Sequence, residues 1–467
     1  MFKKITAIII ALILLIPNAG AVNAQDEGER PVYIVQPGEN LTQIADKFGV
    51  TLQDLVSVNN IIDSNLISEG TRLVIPGIEG ISGILTTKPV GFGDNLQSIM
   101  KRNRLSVENF KKLNRITSPE EIFVGSTLVL PENEENAGIN SRAIIRGSES
   151  LVTASVSSGA NPWTLSIENG LTRLNAVLNE QLFFQTDSEG QLASPFSDRI
   201  ENIEVSPLPF VQGHTTVIKV FSKDSLQLTG SVNGKPVSFF QDEQGYYYAL
   251  HGTHALADVG LVPVAINGTF SNGEVFSAQQ LSLIASGQYP NEEISVEQTT
   301  IEQSVVQAEN EQVQMVVSPV SQQRLWDGPF RFPVDGTLQD GTIGFTSYFG
   351  SRRSYNYGQY TGYHGGLDFE IRLNILNIYA PAPGMVAYTG EMTIRGKTVF
   401  IDHGQGVYSG YGHMAKISVQ EGDYVQPGQV IGQIGGTGRV TGKHLHWDIW
   451  VNGTPVDPFD WVESSYP

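Results

Sequence analysis

Lys443-His444-Leu445-His446-Trp447-Asp448-Ile449-Trp450, near the C-terminus, reads as a β-strand carrying three polar groups on one face. Successive side chains of extended backbone point to opposite sides, so His444, His446 and Asp448 lie together. The two imidazoles point the same way, roughly 7 Å apart along the chain, so one can bind a metal ion while the other works beside it. Eight histidines occur in the chain, and five follow residue 360: His364, His403, His413, His444 and His446. Imidazoles combined with one carboxylate are the ligand set of a catalytic zinc. Asp368, four residues after His364, is the candidate carboxylate.

Around this strand, residues 325–467 show short apolar runs broken by Gly and Pro. They are Thr342-Ile-Gly-Phe345, Gly384-Met-Val-Ala-Tyr388, Thr398-Val-Phe-Ile401, Gly406-Val-Tyr408 and Gly428-Gln-Val-Ile-Gly432. Few helical patterns interrupt them, which predicts an all-β, antiparallel C-terminal domain with a groove where ligands from separated strands converge. His-Glu-x-x-His is absent, so a helical zinc site with a glutamate base is excluded and base duty falls to histidine. Asp448 orients an imidazole or makes a plain hydrogen bond at the strand end. His403 reads as structural.

His364-Gly-Gly-Leu-Asp368, Tyr411-Gly-His413-Met, the glycine-rich run Gly432 to Gly438 and His444-Leu-His446 together resemble the lysostaphin/LytM family of zinc metalloendopeptidases, which cut peptide bonds in bacterial cell walls. The resemblance extends over roughly 326–462, including Tyr348-Phe-Gly-Ser-Arg352 and Val456-Asp-Pro458. It departs at Asn374-Ile-Leu-Asn377, where the family has a Gly-Thr-Pro-type turn. It implies that His364, Asp368 and His446 bind Zn2+ and that His413 and His444 assist catalysis. Three protein ligands leave a tetrahedral corner for water, whose pKa zinc lowers to about 7. A histidine within reach would accept its proton.

Near the N-terminus the chain repeats itself. Residues 33–76 and 88–131 align without a gap at an offset of 55, so that Gly38, Asn40, Leu41, Asn59 and Pro76 recur as Gly93, Asn95, Leu96, Asn114 and Pro131. Each copy reads as strand, helix, helix, strand. In the first, Leu41, Ile44, Ala45 and Phe48 supply a helix face, Gly49 ends it, and Thr51 caps a second helix. These residues resemble a LysM module, a βααβ unit that binds glycans containing N-acetylglucosamine. The match is strong over 31–77 and more divergent over 86–132. It implies a groove between Gly38, Glu39, Asn40, Leu41 and the loop around Leu66 and Ile67.

Between about 140 and 290, strands separated by Asn233-Gly234, Asn267-Gly268 and Asn272-Gly273 suggest an immunoglobulin-like β-sandwich. Residues 140–205 are either its first strands or a separate small unit. His251-Gly-Thr-His254 reads as a pair of loop histidines. Residues 291–324, rich in Glu, Gln and Val, read as an acidic linker, partly helical, whose reach lets the last domain move.

The 467 residues exceed a single core and suggest about three or four domains. A formal charge of −19 without a basic stripe argues against nucleic acid as a partner. Residues 1–24 read as a cleaved signal peptide: Lys3 and Lys4, an apolar run from Ile5 to Ile16 too short to span a bilayer, and Val22-Asn23-Ala24 before the cut. No stable membrane insertion is expected afterwards. With no cysteine, disulfides and thiol-linked lipids are excluded.

The sequence therefore predicts a multidomain chain of two small α+β modules, a β-sandwich and an all-β metallopeptidase domain. Its expected function is a secreted, monomeric zinc endopeptidase of the cell wall or periplasm, held on peptidoglycan glycan strands by LysM and cutting peptide stems or cross-bridges. One alternative is a non-catalytic LytM-type regulator that activates another hydrolase. Another is a passive wall-binding protein.

Overall fold

The computed structural model describes residues 31–63, 67–78, 80–132, 139, 141–145, 150–171, 181–184, 196, 199–338, 341–370 and 376–467. The expected export segment, Leu66, and Asn374 and Ile375 of the divergent turn lie outside the described residues. Among those residues no helix is long and apolar enough to cross a membrane. The chain divides into two compact units.

The first unit holds β1 (Val32–Ile34), α1 (Leu41–Phe48), α2 (Leu52–Val58) and β2 (Arg72–Val74). Asn40 caps α1 by accepting from the Gln43 N–H, while the Gln43 side chain accepts from the Asn40 N–H. Gly49 stops the helix at φ 66°. Thr51 then caps α2 through the Asp54 N–H. Tyr33, Leu41, Ile44, Phe48, Leu55 and Leu73 form the core. Asn59 ties helix to strand: its amide donates to the carbonyls of Leu55 and Val74 and accepts from the Val74 N–H. The second copy contributes β3 (Ile84–Pro89), α4 (Val107–Asn114) and β4 (Thr127–Glu132), and the sheet order is β2-β1-β3-β4. Its α3 (Leu96–Arg102) belongs to the second unit.

The second unit also holds a small module that the sequence left open: β5 (Ser141–Ile144), α5 (Leu151–Ser158), α6 (Pro162–Glu168) and β6 (Gln181–Phe184), with β5 and β6 antiparallel. Nine strands follow. They are β7 (Ile200–Ser206), β8 (Phe210–Val211), β9 (Thr215–Ser222), β10 (Leu226–Val232), β11 (Lys235–Val237), β12 (Phe239–Gln241), β13 (Tyr247–Gly252), β14 (Gly260–Phe270) and β15 (Val275–Ala285). They make two sheets, β11-β10-β14-β15-β8 and β12-β13-β9-β7, around a common core of Phe210, Ile218, Val220, Val264 and Ile266. The two-sheet body thus starts at Ile200, not at 140. Asn233-Gly234 and Asn272-Gly273 turn the chain as expected, but Asn267-Gly268 lies inside β14. There Asn267 accepts from the Ser277 hydroxyl of the neighbouring strand, and the ladder overrides the turn preference.

Residues 291–324 are not a free linker. β16 (Asn291–Ile294) pairs in parallel with β18 (Arg352–Tyr355), and α7 (Gln303–Val317) lays Val313 and Val317 against Met392, Phe400, Tyr408 and Trp450. The apolar spacing Val306, Val313, Val317 is loose for a helix, but it has a receiving surface.

The C-terminal body is antiparallel β. It comprises β17 (Gly344–Ser347), β18, β19 (Tyr360–Tyr363), β20 (Leu367–Glu370), β21 (Asn377–Tyr379), β22 (Gly384–Met392), β23 (Gly396–Gly404), β24 (Val407–Ile417), β25 (Tyr424–Val425), β26 (Val430–Ile434), β27 (Leu445–Val451), β28 (Thr454–Val456) and the short α8 (Pro458–Glu463). The main sheet runs β17-β20-β27-β24-β23-β22-β25. Val399, Ile401, Tyr411, Trp447 and Ile449 fill the core on one face, which leaves the alternate residues of β27 on the other.

Candidate metal centre

Sheet register brings the histidines together. In the antiparallel pair β20/β27, Asp368 lies opposite His446, and in β24/β27, Gly412 lies opposite His446, so His413 follows directly. His364 enters from the turn before β20. His364 Nε2 stands 2.9 Å from Asp368 Oδ1 and 3.0 Å from His446 Nδ1, and His446 Nδ1 is 2.8 Å from the same Oδ1. Ligands of a tetrahedral zinc at about 2.0–2.1 Å stand about 3.3 Å from one another, so these atoms need to spread only by about 0.5 Å.

The partners of the other ring atoms fix which nitrogen is free. The Tyr348 carbonyl can only accept, so His364 Nδ1 carries the proton, at 3.0 Å, and Nε2 keeps its lone pair. In His446, Nε2 donates to Asp448 Oδ2 at 3.2 Å, leaving Nδ1 free. The second oxygen of Asp368 accepts from Arg353 Nη2 at 3.2 Å. Two lone pairs and a carboxylate oxygen thus point at one another with every other atom satisfied, a donor set that fits a divalent cation.

The electrostatics agree. Burial pushes His364 down to about 4, so its imidazole is neutral at pH 7. Burial opposes ionisation of Asp368, yet the imidazoles of His364 and His446 hold its carboxyl well below the usual range. Burial also opposes charge on His446, but hydrogen bonds to Asp368 and Asp448 raise it, and that negative field equally favours a bound cation. Asp448 is fully buried. It accepts from Trp450 Nε1 at 2.7 Å and pairs with Arg395, and despite its desolvation it is drawn down to about 2. Gly410 faces it across the ladder, where a Cβ would overlap Oδ1.

His413 and His444 stand beside this centre, their rings 4.8 Å apart. Both donate Nδ1–H to backbone carbonyls, of Thr437 and Gly442, at 2.8 Å each. The other ring nitrogen, Nε2, faces the centre, and in His444 it lies 3.6 Å from Asp368 Oδ1. Burial pushes His413 down to about 3. Its backbone is left-handed, at φ 60°.

His403 lies apart from the centre, fully buried between the Pro383 carbonyl and Ser409. His251 is buried against Phe210, and His254 meets the Tyr363 hydroxyl at 3.1 Å. Of the expected glycan residues, Leu41 is core, Asn40 is a helix cap, and Glu39 is held by Tyr33 and Lys47. Gly38 is open, and Ile67 is half-buried.

Three residues at the site were not singled out from sequence: Arg353, Arg395 and Glu292. Adjacent arginines in a strand face opposite ways, and Arg352 indeed turns to the Ala255 carbonyl while Arg353 turns to Asp368. That alternation was a usable signal. Glu292 on β16, 3.3 Å from Arg353 Nε, carried none, because its segment read as linker.

A cavity of about 470 Å³ opens onto the centre, lined by His364, His413, His446 and Arg395, by Tyr360 to Tyr363, by His254, and by Val306, Glu309, Asn310 and Val313 of α7. The helix is fixed there by the buried Glu309, whose carboxylate accepts from the N–H groups of Ile394 at 2.6 Å and Arg395 at 2.9 Å. α7 therefore forms one wall of the groove.

The fold is an antiparallel β domain in which His364, Asp368 and His446 could hold a metal ion. Residues 362–458 match the model of Peptidase family M23, and residues 33–76 and 90–131 match the LysM domain model. The chain is 36% identical over 127 residues to the peptidoglycan DD-endopeptidase ShyA of Vibrio cholerae, covering 27% of this chain and 28% of that one. It is 39% identical over 95 residues to the DD-carboxypeptidase/endopeptidase Mpg of Neisseria meningitidis, covering 20% and 22%. These matches span about a quarter of the length of the curated relatives. Among solved structures, the catalytic domain of the antimicrobial peptidase lysostaphin from Staphylococcus simulans aligns with 28% identity and a TM-score of 0.24, over 28% of this chain and all of that one.

Proposed function

We propose that the chain is an exported, monomeric endopeptidase of bacterial peptidoglycan, with LysM domains that grip glycan strands and a zinc site that cuts stem or cross-bridge peptides. The observation that carries this reading is the convergence of His364 Nε2, Asp368 Oδ1 and His446 Nδ1 within 3.0 Å of one another. Bound zinc would lower the pKa of a water and polarise the scissile carbonyl.

The protein's own groups do the rest. Burial keeps the His413 imidazole neutral, with Nε2 unprotonated beside the centre, and His444 stands next to it, so one of the pair takes the proton of the attacking water and returns it to the leaving amine, worth about 10²- to 10⁴-fold. Asp448, anchored by Arg395 and Trp450, holds His446 in the tautomer that frees Nδ1. Arg353 keeps one oxygen of Asp368 occupied and the other aimed. Tethering by LysM makes the encounter with wall peptides effectively intramolecular, so modest glycan affinity suffices. A complete ligand set with both assisting histidines speaks against a non-catalytic regulator.

The test is metal content together with clearing of purified cell walls. About one zinc per chain and falling turbidity are expected. A metal-free, inactive protein would favour the regulator.

A further inference from the structure

The module at 141–184 repeats the two LysM domains at the same 55-residue step. Asn40, Asn95 and Ser150 accept from the N–H groups of Gln43, Ser98 and Thr153 to cap the first helix. The left-handed residue ending that turn falls at Gly49 (φ 66°), Arg104 (φ 51°) and Gly159 (φ 69°). The closing asparagine falls at Asn59, Asn114 and Asn169. Asn169 donates to the Leu165 carbonyl at 2.9 Å and to the Phe183 carbonyl at 2.7 Å, and accepts from the Phe183 N–H at 2.7 Å. Asn114 makes the same three bonds with Phe110 and Val129. The asparagine and its strand partner are 14 residues apart in this module and 15 in the other two.

A chance βααβ unit has no reason to place a helix cap, a left-handed stop and a helix-to-strand amide bridge at one constant offset. Leu151, Leu165, Leu182 and Phe184 give the module a core of its own. We propose that residues 141–184 are a third glycan-binding module, taking the same ligand class as the first two, oligomers of N-acetylated hexosamine. The proposal rests on the reading of 33–76 and 90–131 as glycan binders. Three weak sites on one chain multiply residence on a polymeric wall without any tighter contact.

Hydrogen exchange of the intact chain, followed peptide by peptide with and without chitohexaose, tests it. Slower exchange is expected in 33–76, in 90–131 and in the helices of 150–171. Protection in the first two segments with none in 150–171 overturns the third module and leaves the glycan reading standing. No protection anywhere overturns both. As a second measurement, Asn59→Ala, Asn114→Ala and Asn169→Ala in the full chain should each lower retention on purified peptidoglycan by a comparable factor, on the order of 3- to 10-fold. Unchanged retention of Asn169→Ala beside losses in the other two refutes the proposal.

Discussion

Glu309→Ala should make the intact chain a faster hydrolase, because the helix α7 that Glu309 anchors walls the catalytic groove. The carboxylate is buried and accepts two backbone N–H bonds, from Ile394 at 2.6 Å and Arg395 at 2.9 Å. Hydrogen bonds to a charged group contribute about 1.5–3 kcal/mol each, and the freed N–H groups regain water as the helix lifts. A net shift of about 3 kcal/mol follows, which favours lifting on the order of 100-fold. Val313 and Val317 remain packed on Phe400, Tyr408 and Trp450, at about 1.5–3 kcal/mol each, so the change tilts the equilibrium without detaching the helix. The assay is release of new amino groups from purified peptidoglycan, run beside limited proteolysis within 303–317. Faster cleavage of α7 and faster hydrolysis should appear together. If α7 becomes protease-sensitive while hydrolysis stays unchanged, the helix does not stand in the substrate's path and the reasoning fails.

His364→Ala or His446→Ala should abolish both zinc content and wall hydrolysis, measured by elemental analysis and turbidity; full activity in either would sink the ligand assignment. His413→Ala and His444→Ala should keep the metal yet lose about 10²- to 10⁴-fold in rate. Asp448→Asn should weaken zinc affinity by about 10- to 100-fold in chelator competition. Buried His403, pushed down to about 4, binds its proton more weakly folded than unfolded. Its contribution is therefore lost as pH falls from about 6.5 towards 4, roughly 3 kcal/mol in all, and the urea midpoint should drop over that window less steeply in His403→Gln.

The strand His444 to Trp450 was legible because alternation is a local rule: β27 runs Leu445–Val451, and its polar face carries the site. The resemblance pointed to His364, Asp368 and His446 as a ligand set, and the structure brings those three side chains together. What stayed hidden depended on partners distant in sequence. Val313 and Val317 look like scattered valines until Phe400 and Trp450 are known to receive them. Asn267-Gly268 looks like a hairpin until Ser277 is placed opposite it. The module at 141–184 escaped because few side chains persist in it, Leu151, Gly159, Leu165 and Asn169 among them, while the shared helix cap and amide bridge lie in backbone hydrogen bonds that identity of side chains does not report.

Strand β16 ends the body of the chain that precedes the peptidase fold, yet its Glu292 steadies the arginine that steadies a metal ligand. A catalytic fragment cut at residue 325 would lose that support, and so would a chimera that grafts the domain behind another binder. The working border of this C-terminal domain therefore lies some thirty residues upstream of where its β-rich text begins. Recombination that respected the textual border would inherit the candidate ligand residues without the brace that keeps one of them aimed.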